Sequence, residues 1–305
     1  MASVPVRSST PLNQPPTTNQ LATNGSQPPA PSGGSGGGAF ALPTTKSTPR
    51  DELGDYTWLI YGERKIGKTS LAAQFPDALF MMFEPGGKGL SIYQVEIGSW
   101  DAFKGYVKAI KANPSQYSTI VIDTIDIAYE KCTDYVGRRE GFDHPSEMND
   151  FGKTWSMIKK EFTSVILDLI AVGVGVMFLS HATESEFQEA SGGKYNKIIP
   201  TMPGQARKFV TGFVDIIAYY GYYGHDRLLT ISGSDMVDAG HRVDGHFVSS
   251  EDPKKRIHSI PMGNSAAEGY SNILDAFNNL QTDTNEPKVR TGLSETKAKL
   301  PTGRR

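Results

Sequence analysis

Gly62-Glu63-Arg64-Lys65-Ile66-Gly67-Lys68-Thr69 has the spacing Gly, four residues, Gly-Lys-Thr, which is that of a phosphate-binding loop. Its flanks supply the context the spacing needs. Trp58-Leu59-Ile60-Tyr61 reads as a short buried strand leading in, and Ser70-Leu71-Ala72-Ala73-Gln74-Phe75 as a helix leading out. A strand, a glycine loop and a helix start aim free backbone N–H groups and the positive end of the helix dipole at an anion. Gly62 through Ser70 are therefore the candidate nucleotide-binding residues. Lys68 is placed to reach β and γ phosphates, and the Thr69 hydroxyl to hold Mg²⁺.

Outward from this loop, apolar runs recur: Ala78 to Phe83, Thr119 to Ile122, Gly173 to Leu179 and Val214 to Tyr220. Runs buried on both faces mark a parallel sheet covered by helices. Helical stripes lie between them. Trp100, Phe103, Val107 and Ile110 form one, and Trp155, Ile158, Phe162, Val165, Ile166 and Leu169 another. Arg227 to Ser232 and Gly240 to Val248 read as short strands with glycine-rich turns, an antiparallel addition. A last helix is expected over about Ser265 to Leu280. The alternation predicts an α/β fold with a doubly wound, mostly parallel sheet and an antiparallel C-terminal addition. Ligand is expected at the carboxyl ends of the strands.

The chain has 305 residues, a formal net charge of −2 and one cysteine, Cys132. Residues 1–50 are rich in Ser, Pro, Thr, Asn, Gln and Gly and cannot bury a core, so a disordered tail is expected there. Residues 281–305 are polar, with six basic residues against three acidic ones, net +3, and read as a flexible basic tail. Residues 51–280 remain, enough for one α/β domain with a real core. Near-neutrality excludes a bulk basic DNA binder, so any nucleic-acid surface must be local. A single cysteine excludes an intrachain disulfide and fits a reducing, intracellular compartment. The longest apolar stretch, Val165 to Leu179, is interrupted by Asp168 and is too short to span a bilayer.

Three strand ends carry chemistry. Asp123 closes the run from Thr119, the position of a carboxylate that holds Mg²⁺ beside a phosphate loop. Glu84 closes the run from Ala78 and could polarise the water that attacks the γ-phosphorus. Ser180-His181 ends the third strand, where a side chain could bond the γ-phosphate and report hydrolysis to the next loop. Arg242, flanked by glycines on an expected exposed hairpin, and Arg207 are candidate fingers acting in trans. The long loop Glu184 to Arg207 offers Lys194, Tyr195 and Lys197 for contact with a nucleic-acid backbone and base. Gly137-Arg138-Arg139-Glu140-Gly141 is a second such candidate.

These five segments together resemble the RecA-like ATPases of bacteriophages, the Sak-type single-strand annealing and recombination group, AAA-domain phage proteins. The resemblance runs from about Thr57 to Asn278 and rests on Gly62-x4-Gly67-Lys68-Thr69 through Pro76, Phe83-Glu84-x-Gly86-Gly87, Thr119 to Asp126, Gly152-Lys153-x-Trp155 and Ser180-His181-Ala182-Thr183-Glu184. It implies a RecA-like P-loop fold that uses ATP and Mg²⁺ and acts on single-stranded DNA in recombination or replication. By position Glu84 looks like the catalytic glutamate, and His181 like the replacement for a γ-phosphate-sensing glutamine. The resemblance also implies a homo-oligomer with nucleotide at subunit interfaces, single-strand binding or replication proteins as partners, no membrane, and the cytoplasm of a bacterial host. Three features depart from the family pattern: the basic Arg64-Lys65, the first fifty residues, and the acids Glu184, Glu186 and Glu189 after His181. A protein-directed motor or helicase loader would share the nucleotide site and lack affinity for single strands. A nucleotide-gated scaffold would need no catalytic Glu84. Asn196-Lys197-Ile198-Ile199 lacks the aspartate of a guanine-reading motif, which argues against a GTPase, and no Arg-rich lid points to a small-molecule kinase.

Overall fold

Among the described residues ten strands form one sheet in the order β10 (Ser259–Pro261), β8 (Asp226–Thr230), β7 (Ile216–Tyr223), β1 (Thr57–Gly62), β5 (Gly175–Gln188), β4 (Thr119–Asp123), β2 (Ala78–Met82), β3 (Tyr93–Glu96), with β6 (Lys194–Pro200) paired to β5 and β9 (Gly240–His241) to β7. The structure is a computed structural model and describes residues 42–188 and 192–282. Most of the expected N-terminal tail, the basic C-terminal tail from residue 283, and Glu189 lie outside the described residues. The chain divides into Met1–Thr48 and Pro49–Arg305, and the fold below belongs to the second unit.

In chain order the elements are β1 (Thr57–Gly62), α1 (Lys68–Ala72), β2 (Ala78–Met82), β3 (Tyr93–Glu96), α2 (Trp100–Ala112), β4 (Thr119–Asp123), α3 (Ile125–Glu140) and α4 (Lys153–Ile170). They continue with β5 (Gly175–Gln188), β6 (Lys194–Pro200), α5 (Gly204–Phe213), β7 (Ile216–Tyr223), β8 (Asp226–Thr230), β9 (Gly240–His241), β10 (Ser259–Pro261) and α6 (Ala266–Phe277). The neighbours β7-β1-β5-β4-β2-β3 are all parallel. β8, β10, β9 and β6 are antiparallel additions.

The central strands are buried along their whole length because both faces are covered. Alternate residues divide between two cores. Leu59, Leu79, Met81, Ile120, Ile122, Val176 and Phe178 face α2, α3, α4 and α5. Trp58, Ile60, Phe80, Val121, Met177 and Leu179 face α1, α6 and the C-terminal addition. The predicted stripes are buried, Trp100, Phe103, Val107 and Ile110 on α2, and Ile158, Phe162, Val165, Ile166 and Leu169 on α4, except for Trp155 at the start of the α4 stripe, which is only half-buried. Each such side chain contributes about 1.5–3 kcal/mol when fully buried. Ser99 and Ser265 cap α2 and α6 by accepting from the amides of Ala102 and Glu268.

Four expectations need correction. The segment from Glu184 to Arg207 is not a loop: β5 runs past the sheet to Gln188 and pairs with β6, and α5 follows. The face-to-face pairs Phe187↔Tyr195 and Ser185↔Lys197 explain it, since a two-sided polar hairpin has alternation but no apolar run. His181 therefore lies within β5, as its last residue paired to β1, rather than at its end. Gly240 to Val248 contributes only Gly240–His241 to the sheet. Gly137 to Glu140 is the last turn of α3, closed by Gly141 at φ 80°, not a loop after that helix. The edge strand β3 was not anticipated, because its residues are mostly exposed and form no apolar run.

Candidate nucleotide site

Strand register brings the site together. Gly62 lies level with both His181 and Tyr220, and Asp123 level with Met82 and Leu179. Glu84 and Thr124 follow directly from those strand ends. The carboxyl edge of four adjacent parallel strands thus carries the loop, Glu84, Asp123 and His181.

The loop's two defining glycines have different reasons. A Cβ on Gly62 would sit 2.0 Å from the Tyr220 carbonyl oxygen of β7, so only glycine allows β1 and β7 to pair there. Gly67 precedes α1 at φ 114°, in the left-handed region where side chains are strained. Lys68 is buried, and its Nζ donates to the carbonyls of Gly62 (2.9 Å) and Glu63 (2.8 Å). Burial lowers its pKa, opposed by the nearby carboxylates Asp123, Asp126 and Glu84. The ammonium is thus held inside the loop it closes.

Thr69 Oγ1 donates to Asp123 Oδ2 at 2.7 Å. Burial pushes Asp123 up, and the Thr69 bond opposes it. Two hard oxygens meeting beside the loop fit a Mg²⁺ ion, which takes one or two protein ligands and fills the rest of its shell with water and phosphate oxygens. Among the described residues no cluster of three or more His, Cys, Asp or Glu could hold a metal by itself.

Glu84 and His181, drawn from strands on either side of β4, meet. Glu84 Oε1 accepts from Thr124 Oγ1 at 2.6 Å and lies 3.2 Å from His181 Nε2. Asp126 holds β5 from α3: Oδ1 accepts from Ser180 Oγ (2.9 Å) and Oδ2 from the His181 amide (3.2 Å). Lys65, Gly67, Lys68, Thr69, Ser70, Glu84, Asp123, Thr124 and His181 line one cleft of about 250 Å³. A larger recess of about 840 Å³ lies on the β5–β6 hairpin and shares none of these residues.

The remaining candidates lie elsewhere. Arg242 is not free: Nε donates to Asp215 Oδ1 at 2.9 Å and Nη2 to the Phe213 carbonyl. Asp215 also accepts from the Thr57 amide, so this cluster sits at the amino end of β1, opposite the chain's own phosphate loop. Arg139 pairs with Glu140 and Glu161 and lies over the Tyr135 ring, while Arg138 is exposed. Lys194 pairs with Glu186 and Lys197 with Asp238. Tyr195 stacks on Phe187 with centroids 5.8 Å apart. Arg207 is half-buried on α5. The sequence reading missed Thr124 and Phe187. Thr124 resembles an ordinary helix cap, and the only signal for Phe187 was an aromatic at the right alternation in a polar stretch.

Residues 55–243 match the AAA domain family. The chain belongs to the AAA domain family. It is 28% identical over 172 residues to the SPbeta prophage-derived uncharacterized protein YorG of Bacillus subtilis (strain 168), covering 55% of this chain and 51% of that protein. The chain thus spans about half the length of the curated relative it matches. Among solved structures, the RadB recombinase is similar at 13% identity and TM-score 0.38, over 58% of this chain and 80% of that one. A KaiC-like protein, PH0186 of Pyrococcus horikoshii OT3, is similar at 13% identity and TM-score 0.38, over 70% and 88%. Among the described residues no helix is long and apolar enough to cross a membrane.

Proposed function

We propose that the protein hydrolyses ATP and couples that turnover to single-stranded DNA in phage recombination or replication, as a member of the Sak-type group working as an oligomer with nucleotide between subunits. The observation that carries hydrolysis is the meeting of Glu84 and His181 at 3.2 Å beside Lys68, Thr69 and Asp123. The loop amides from Gly62 to Ser70 bind the phosphates, and Lys68 Nζ exchanges its two carbonyl partners for β and γ oxygens. Thr69 and Asp123 would hold Mg²⁺, which supplies charge neutralisation on those oxygens. Glu84 orients the attacking water and takes its proton. His181 Nε2 donates to the γ-phosphate.

Coupling to DNA follows from continuity. β5 passes from His181 directly into the hairpin that presents Phe187, Lys194, Tyr195 and Lys197. A stacked aromatic pair among cations suits bases and backbone of a single strand. One observation favours the second reading, an ATPase that loads or moves a protein: Lys194, Lys197 and Arg139 all have acidic partners within the chain. Steady-state ATP hydrolysis with and without single-stranded DNA, at low and high salt, decides between them. Salt-sensitive stimulation is expected. Turnover indifferent to DNA at both salts contradicts the DNA reading and selects the protein-directed one.

A further inference from the structure

The threonine at the start of α3 does not cap its own helix. Thr124 occupies the N-cap position with extended backbone (φ −113°, ψ 156°), yet its hydroxyl caps no backbone amide. A threonine there ordinarily accepts from the second or third amide of the helix. Instead the hydroxyl of this residue, 1% exposed, donates to Glu84 Oε1 at 2.6 Å. Asp126, the acid of the same turn, reaches across to β5. Its two oxygens take Ser180 Oγ and the His181 amide on β5. Both side chains at this helix start are committed to neighbouring strands, one to the carboxylate and one to the main chain that carries the imidazole.

We infer that Thr124 and Asp126 are positioning residues for hydrolysis, Thr124 for Glu84 and Asp126 for His181, an inference that rests on the ATPase reading above. Thr124 fixes one carboxylate oxygen, Oε1, and leaves Oε2 to face water. His181 Nε2 shares Oε1 at 3.2 Å. When that N–H turns to a terminal phosphate, Thr124 Oγ1 remains to hold Glu84, so the productive carboxylate geometry depends on this hydroxyl. Asp126 sets where the imidazole starts and ends this exchange, because it grips the His181 amide and Ser180 rather than the ring.

The test compares Thr124→Val, which keeps the shape and removes the donor, with Thr124→Ser, which restores it. ATP affinity and kcat are measured on the same preparations. Thr124→Val is expected to keep affinity within about twofold and to lose about tenfold or more in kcat, and Thr124→Ser to recover most of that loss. A Thr124→Val protein turning over at the wild-type rate overturns the inference. So does a Thr124→Ser protein as slow as the valine variant. A wild-type protein without turnover contradicts the ATPase reading instead. In that case, or if Thr124→Val does not fold, the contact is read from histidine-ring ¹⁵N resonances of the nucleotide-free protein. Thr124→Ala, which releases the carboxylate oxygen that His181 shares, then displaces the His181 signal, and an unmoved signal overturns the inference.

Discussion

The two halves of the nucleotide site are built in different ways. The half proposed to hold the phosphates is one continuous stretch, Gly62 to Ser70, and its geometry is local: a glycine that must pass under Tyr220, a left-handed glycine, and a lysine folded back on its own loop. The half proposed to activate water has no continuous stretch at all. Glu84 and Thr124 follow the ends of β2 and β4, His181 lies within β5, and only the register Met82↔Asp123↔Leu179 brings them within hydrogen-bond distance. A binding loop can be assembled by local backbone conformation. A hydrolytic centre of this kind requires the whole sheet.

That contrast is open to direct attack. The largest effect is expected from Lys68→Ala, which strikes the local half. It should weaken ATP binding about 100-fold or more, because a buried, charge-assisted contact to phosphate is lost. Binding of a fluorescent ATP analogue measures this, and near-normal affinity would remove the loop from nucleotide binding.

The same contrast explains what could be read beforehand. The loop, the four apolar strand runs, Asp123 and the α2 and α4 stripes were legible because each is written in one short window of residues. Glu84 and His181 were legible as candidates only because each follows an apolar run. Their contact was not, since it depends on pairing between strands distant in sequence. Thr124 was illegible because a threonine before a helix has a common local use that it does not serve here. The hairpin from Ala182 to Pro200 looked like a loop because its charges face solvent on alternate residues and pair across the strands, as Glu186 with Lys194. Arg242 looked free because nothing in its glycine-rich neighbourhood announces Asp215.

A smaller effect belongs to neither half and separates scaffold from site. His241, on β9 and against the Phe247 ring, is held below the ordinary imidazole value by burial and by the Arg256 guanidinium. The folded protein therefore binds this proton less readily than the unfolded chain. Its contribution to stability is present above the usual imidazole pKa of about 6.5 and is lost as pH falls below it. The thermal midpoint should drop between neutral pH and about pH 5, and His241→Gln should blunt that drop by about 2–4 °C. An identical acid slope in both proteins would remove His241 from the account, with the site unaffected either way.

The central claim is that holding the phosphates and activating water are separable tasks of separate elements. Glu84→Gln tests it most directly, with ATP affinity and turnover measured on one preparation. The account predicts affinity within about twofold of the wild type and turnover reduced about 100-fold or more. Turnover at the wild-type rate, or affinity lost together with turnover, would contradict it.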